Sequence, residues 1–338
     1  FPFNGLLLGI IGALLLIMGF ITGSYPAFVL SGFRPIQILK GALPQSKQGL
    51  RKVLVGMQLV LSIFLISSTL TMQQQLNFLQ SKNLGFNKEQ IAVMRIPGPR
   101  EDLAMRVKNG FKTGEQFKAA LQSYPEIENL CISSHDFGTG NWTSVGFTDD
   151  GGVYRNMSMN VIDDDYIPSM KMELAAGRNF SDQNPADNRR SVIVNESLVK
   201  EFGLTDPIGK RLPGKRFPDN EIVGVVKDFH FASLYNKVGP LVMVEDPSLI
   251  MAGVQNISIE SSPVPKLMVR IKAGQTAAGI QRMQEAWKQI GQGEEFAFTF
   301  VDESLNKQYR TDQNLGRIVE IATALAVIIG GLGLYALA

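Results

Sequence analysis

Three stretches of this chain carry no charged residue, and they decide what it can fold into. The first runs from Phe1 to Phe33, the second from Val53 to Met72, and the third from Ile321 to Ala338. A helix rising 1.5 Å per residue needs about 20 apolar residues to cross the bilayer core. In the second stretch eleven residues are Leu, Ile, Val or Phe. At about −0.3 to −0.6 kcal/mol each they favour insertion by roughly 3 to 7 kcal/mol, of which Ser, Thr and Gln give back a part. One such run could be a core helix; three without a charge mark an integral membrane protein. The first run lacks the charged start of a signal peptide and is too long for one. With no initiating Met, the chain reads as a fragment, cut before its first residue and again inside its last span.

The connection between the first two runs, residues 31–52, carries Arg34, Lys40, Lys47, Arg51 and Lys52 and no acid. Short loops rich in Lys and Arg stay on the cytoplasmic side. Residues from about 73 to 315 are therefore expected outside the cytoplasm. Within the loop, Phe33, Ile36, Ile38, Leu39 and Leu43 alternate with basic residues, a pattern suited to a short helix on the membrane surface. Phe33, Arg34, Ile36, Leu39 and Lys40 are candidates for a contact on the cytoplasmic face. The formal net charge of +2 gives no electrostatic case for nucleic acid. A single cysteine, Cys131, excludes an intrachain disulfide.

Between the second and third runs, strand-like and helix-like patterns alternate. IAVMRIPG (91–98) and ENLCISS (128–134) read as strands flanking a helix that carries Phe117, Ala120, Leu121 and Tyr124 on one face. Thr113 and Gln116 have the spacing of a capping box at its start. The order returns near the far end. LMVRIKAG (267–274) is strand and turn, Ile280, Met283, Trp287 and Ile290 fall at helical spacing, and FAFTFV (296–301) is a strand. The expected fold is α+β: a two-lobed mixed α/β domain outside the membrane, attached to transmembrane helices. Its membrane-proximal lobe comprises 86–139 and 263–301, and 140–262 forms a β-rich insert. Spans are expected at 5–30, 53–72 and 318–338, around the cytoplasmic loop 31–52. Residues 73–85 and 302–317 would be helical stalks, with Met72, Leu76, Leu79, Leu305 and Tyr309 as candidate coupling positions. Gln73–Gln75 and Asp312 interrupt both stripes, which fits a partly solvated stalk.

Residues 202–212, FGLTDPIGKRL, imitate a phosphate-binding loop. A Walker loop needs four residues between its glycines, then Lys and a hydroxyl for Mg²⁺. Here Gly203 and Gly209 are separated by five, Pro207 removes a donor, and Arg211 replaces the hydroxyl. A turn between helix and strand is expected instead. His135 and His230 are the only histidines, and neither has a His or Cys at metal-ligand spacing. Asp163–Asp165 precede a short helix, where carboxylates would favour its positive end. No G-x-S-x-G occurs, and Cys131 sits in a strand pattern. Sequons at Asn141, Asn156, Asn179, Asn195 and Asn256 matter only where glycosylation operates. No catalytic site, metal site or cofactor is expected.

Three ordered blocks carry a family resemblance: DDDYIPSMKMELAAGRNFS (163–181), SVIVNESLVKEFGLTDPIGKRL (191–212) and NEIVGVVKDFHFASL (220–234). They resemble the periplasmic core domain of MacB/FtsX-type ABC transporter permeases. YPAFVLSGFRPIQILKG (25–41) and the run from Tyr309 to Ala338 look like membrane parts of that family. The resemblance implies an inner-membrane permease subunit, not itself an enzyme, whose fuel is burned by a separate cytoplasmic ABC ATPase. It implies mechanotransmission: motion passed through stalks to the outer domain, for export, lipoprotein release or envelope signalling. Pairing as a dimer, or with a second repeat of its own, and contact with a periplasmic or outer-membrane partner belong to the same expectation, alongside the lipid bilayer. The extra span and basic loop before the domain depart from the four-span members and suggest a two-repeat permease. A different class, a membrane-anchored sensory receptor with an outer ligand-binding domain, is the alternative. It would continue after Ala338 into a signalling module rather than further spans.

Overall fold

The computed structural model describes residues 9, 12–14, 16–20, 24, 48–97, 103–138, 140, 142–214, 216–234, 236–259 and 263–335. It divides into two units, Phe1–Thr69 with Val319–Ala338, and Leu70–Ile318. Two long helices are shared between them: α1 (Gln48–Ser81, 34 residues) and α8 (Val301–Tyr335, 35 residues). Each contains a segment long and apolar enough to cross a membrane, Val55–Phe78 and Asp312–Leu332. A core helix of that composition would be covered by protein, yet only 6% and 11% of these segments are buried. Val60, Phe64, Ile328 and Leu332 are exposed. Both segments turn apolar side chains outward instead of burying them, which makes them candidate membrane spans among the described residues. The first apolar run lies mostly outside the described residues, as do the loop 31–47 and with it Phe33, Arg34, Ile36, Leu39 and Lys40. Residues 12–14 and 16–20 are helical.

The second unit is a mixed α/β domain with two sheets. In chain order, β1 (Ile91–Arg95), α2 (Leu103–Leu121) and β2 (Ile127–Ser133) come first. Next are β3 (Ser144–Thr148), β4 (Tyr154–Val161), α3 (Tyr166–Ser169), β5 (Leu174–Gly177), α4 (Asp187–Arg190) and β6 (Ser191–Asn195). Then follow α5 (Glu196–Glu201), β7 (Glu221–Val226), β8 (Leu241–Val244), α6 (Ser248–Met251) and β9 (Asn256–Ser258). The chain closes with β10 (Lys266–Ile271), α7 (Thr276–Ile290) and β11 (Phe298–Phe300), which runs into α8. One sheet has the order β11-β1-β10-β2 and is antiparallel throughout. The other has the order β5-β7-β6-β8-β4-β3-β9, with β4/β8 and β6/β7 parallel.

Strand alternation explains how the layers stack. In β1, Ile91 and Val93 enter the core that also holds Ile193, Val223, Leu241 and Met243 of the larger sheet. Ala92 and Met94 face the other way, onto Phe117 and Leu121 of α2 and Met283 and Trp287 of α7. Because successive side chains point to opposite faces and both faces are covered, β1 reads as an unbroken apolar run. The larger sheet covers its second face with a separate core around Phe147, Met157, Val194, Phe217 and Val242.

Two local expectations are corrected. Thr113 does not cap α2: the helix starts ten residues earlier, at Leu103, and the Thr113 hydroxyl donates back to Asn109 O within it (3.1 Å). Gly110 lies inside this helix, buried against Pro265, where a Cβ would stand only 2.5 Å from the ring, so tertiary packing outweighs its poor helix propensity. Nor do the carboxylates of Asp163–Asp165 cap α3. Asp165 is its N-cap residue but makes no side-chain cap bond. Lys118 of α2 holds Asp163 at 2.8 Å and Asp165 at 2.7 Å instead, a partner 45 residues away from Asp163 that no local pattern shows.

The Gly203–Gly209 segment is the turn expected. It lies between α5 and β7, and Gly209 N donates to Ile222 O while Ile222 N donates to Lys210 O, so its backbone is spent on β7.

Candidate functional site

If the outer domain moves with the membrane helices, the site that matters is where each helix is rooted in the domain. The two roots are built differently. β11 ends at Phe300 and α8 begins at Val301 with no linker. Val301, Ser304, Leu305 and Tyr309 are all buried. Val301 and Leu305 belong to the core shared by both sheets. The Tyr309 hydroxyl accepts a hydrogen bond from Leu234 N at 3.3 Å. Leu305 and Tyr309, candidate coupling positions of a partly solvated stalk, form the buried foot of α8.

The other helix enters through a loop. After Ser81 the chain crosses residues 82–90 before β1, with Leu84 and Phe86 buried. Phe86 stacks on Phe137 with ring centroids 3.9 Å apart. Leu84 O accepts from His230 N (2.8 Å). Arg270 of β10, buried, ties this loop down: its guanidinium donates to Asn87 O (2.8 Å), Asn87 Oδ1 (3.1 Å) and Glu89 O (2.8 Å), and to Ser169 O on α3. A planar fork of five donors suits several carbonyls at once, which a lysine could not match. The rings of Phe86, Phe137, Trp142, Phe229 and Phe231 form one cluster between these roots. The segment DFHFASL therefore supplies two of its rings and the amide that meets Tyr309.

Further along, Met72 and Leu76 of α1 lie beside Gly316 of α8: a Cβ there would stand 3.5 Å from Leu76 Cδ1 and 3.7 Å from Met72 Sδ. Leu79 is in the last turn of α1, its side chain outside those described. In the other unit, the hydroxyls of Thr69 and Thr323 are 2.8 Å apart, and Ser62 Oγ donates to Ala326 O at 3.3 Å. A Cβ on Gly330 would come within 3.5 Å of Ser62 Oγ. Small and hydroxylated residues at such contacts let apolar helices approach closely where water supplies no drive. Gly316, Thr323 and Gly330 recur every seven residues, a signal in the sequence that the charge-free run concealed. Arg270 had no such signal, being one basic residue inside an apolar strand.

His135, Cys131 and Asn195 are buried within the fold. His135 is buried, with Nε2 3.0 Å from the Thr143 hydroxyl and its ring stacked on Trp142. Burial, and secondarily the charge of Lys266, lower its pKa to about 3, so it is neutral. Cys131 is buried and burial pushes its thiol up. Asn195 is buried too, its side chain accepting from Leu198 N at the start of α5. Among the described residues no His, Cys, Asp or Glu group is arranged to hold a metal ion.

The MacB-like periplasmic core domain family matches residues 53–286. This chain belongs to that family. Similar solved structures include the extracellular domain of the noncanonic ABC-type transporter YknZ from Gram-positive bacteria, 16% identical, over 62% of this chain and 98% of that one, with a TM-score of 0.40. The periplasmic region of MacB from Actinobacillus actinomycetemcomitans is 15% identical over 69% of this chain and 97% of that one, with a TM-score of 0.42. No curated protein matches significantly. The chain is thus a permease-type protein with a MacB-like periplasmic core domain, flanked by two candidate membrane helices.

Proposed function

We propose that this chain is the permease subunit of a MacB/FtsX-type ABC transporter, passing movement driven by a separate cytoplasmic ATPase to its outer domain. One observation carries the reading: α8 continues without a break from β11, through the buried foot Val301–Tyr309, into the candidate span Asp312–Leu332. A helix rooted in a sheet at one end and continuing into a candidate span is a route by which movement in the membrane would reach the domain. The basic loop 31–52 then faces the cytoplasm and residues about 73–315 lie on the far side of the inner membrane, the lobe 86–139 with 263–301 standing between stalks and insert. The subunit itself is not an enzyme.

The test is purification of the full-length protein in mild detergent and reconstitution into lipid. An ATP-binding subunit is expected to co-purify and to hydrolyse ATP faster with the permease than alone. A cysteine placed at Ser197, exposed to thiol reagents only from the cytoplasmic side, would overturn the orientation. Recovery of the protein with no ATPase would overturn the function.

A further inference from the structure

A cleft of about 1110 Å³ in the outer domain lies along α2 and is unused by the coupling mechanism. Its opposite wall is formed where two strands end. β4 and β8 pair in parallel, Val161 against Val244, so Asp163 and Asp164 after one strand and Glu245 and Asp246 after the other leave the same end of the sheet. The carboxyl ends of parallel strands are where α/β sheets hold ligands. With Glu115 and Asp182, six carboxylates line the cleft against two lysines, Lys108 and Lys112, a formal charge of −4.

Much of that charge is uncompensated. Lys118, behind the wall, serves Asp163 and Asp165 and reaches Glu115 only at 3.5 Å. Among the described residues, Asp164, Asp182 and Glu245 form no ion pair. Asp163, which lines the cleft and is only 8% exposed, leaves Oδ1 without a hydrogen-bond partner while Oδ2 takes Lys118 Nζ and Ile132 N. Burial, then Asp164, Asp187 and Asp182, raise the Glu245 pKa to about 7. Burial, then Asp182 and Asp165, raise that of Asp164. A cleft of one sign with low-dielectric walls concentrates ions of the other. Among them are apolar side chains, Met105, Phe111 and Met251.

We propose that this cleft binds a basic peptide segment, with lysine or arginine stems laid along Met105, Phe111 and Met251 and their charged heads among Asp164, Asp182 and Glu245. Long basic side chains carry an apolar stem and a cationic tip, which is the pairing the walls offer. The apolar side chains among the carboxylates suit an occupant with an apolar stem better than a bare ion. At about 1110 Å³ the cleft sits at the upper end of small-molecule sites, with room for a short peptide segment. None of this rests on the permease reading.

The test is fluorescence-anisotropy titration of the full-length protein, in nanodiscs of zwitterionic lipid, with a labelled Lys-Leu-Arg-Lys peptide. Saturable binding is expected at pH 8, weakened on the order of tenfold by Glu245→Gln with Asp164→Asn and strengthened by Lys108→Ala with Lys112→Ala. At pH 6, Glu245 and Asp163, raised by burial to about 7 and about 8, take up protons among Asp164, Asp165, Asp182, Asp187, Asp246 and Glu115, with Lys108, Lys112 and Lys118 on α2, so affinity falls. Should the double variant unfold, Glu245→Gln alone carries the test. Unchanged affinity in Glu245→Gln, equal binding of an all-glutamate peptide, or binding of spermine with none of the peptide would each overturn the proposal. Absence of a co-purifying ATPase would leave it standing, so the two readings fail separately.

Discussion

Replacing Gly138 by alanine should damage the root of α8 in a way that can be worked out from the geometry. Gly138 has φ +81°, and a Cβ on it would lie 2.4 Å from the carbonyl carbon of Ser304 and 2.6 Å from Leu305 N. Both contacts are helix backbone, which cannot rotate aside. The left-handed conformation costs a non-glycine residue about 1–2 kcal/mol. Forcing an extra methyl into a packed site adds about 1–3 kcal/mol, so Gly138→Ala should cost roughly 2–5 kcal/mol in all. Gly140 separates the two contributions. It has φ +109° and nothing within 4 Å of its would-be Cβ, so Gly140→Ala should cost only the conformational part. At about 2–4 °C per kcal/mol for a domain of this size, the midpoint of thermal unfolding should fall about twice as far for Gly138→Ala as for Gly140→Ala. The assay is thermal unfolding of the detergent-solubilised protein followed by tryptophan fluorescence, with hydrogen exchange over residues 301–309. Exchange there should speed up in Gly138→Ala and stay at the wild-type rate in Gly140→Ala. Equal losses in the two variants would refute the idea that the 135–142 loop clamps the foot of α8.

Other outcomes follow from the same contacts. Cysteines replacing Thr69 and Thr323, whose hydroxyls are 2.8 Å apart, should crosslink on mild oxidation and lock the helix pair; stimulation of the partner ATPase should drop, and reduction should restore it. Thr69→Val alone should cost only about 0.6 kcal/mol of helix association, because the partner hydroxyl retains its own backbone bond to Val319 O. Arg270→Lys should lower stability by roughly 2–4 kcal/mol, as carbonyls of Asn87, Glu89 and Ser169 lose donors that a single ammonium cannot supply; proteolysis should then cut first within residues 82–90. His135 supplies a pH dependence. Its folded pKa, about 3, lies below the unfolded value of 6.5, so the unfolded state binds the extra proton. Stability from this residue is present above pH 6.5 and declines toward pH 4 by up to about 1.4 kcal/mol per unit, a slope His135→Gln should flatten.

What the chain determined by itself is its membrane character and its layered α/β domain. Charge-free runs such as Val53–Met72 can be satisfied only by lipid or by a core, and no partner elsewhere in the sequence is needed to read them. The apolar strands around Val93 and Val269, and the helical stripe of Met283 and Trp287, are legible for the same reason: periodicity is local. The capping reading of Asp163–Asp165 failed, and the roles of Arg270, Gly138 and Thr323 went unseen, because each depends on a group far along the chain. Lys118 reaches back from α2, the 82–90 loop folds under β10, and Ser304 closes on a glycine more than a hundred residues before it. Only tertiary structure brings those atoms within bonding or colliding distance. Periodicity says which face of an element is apolar; it does not say which distant backbone that face will meet.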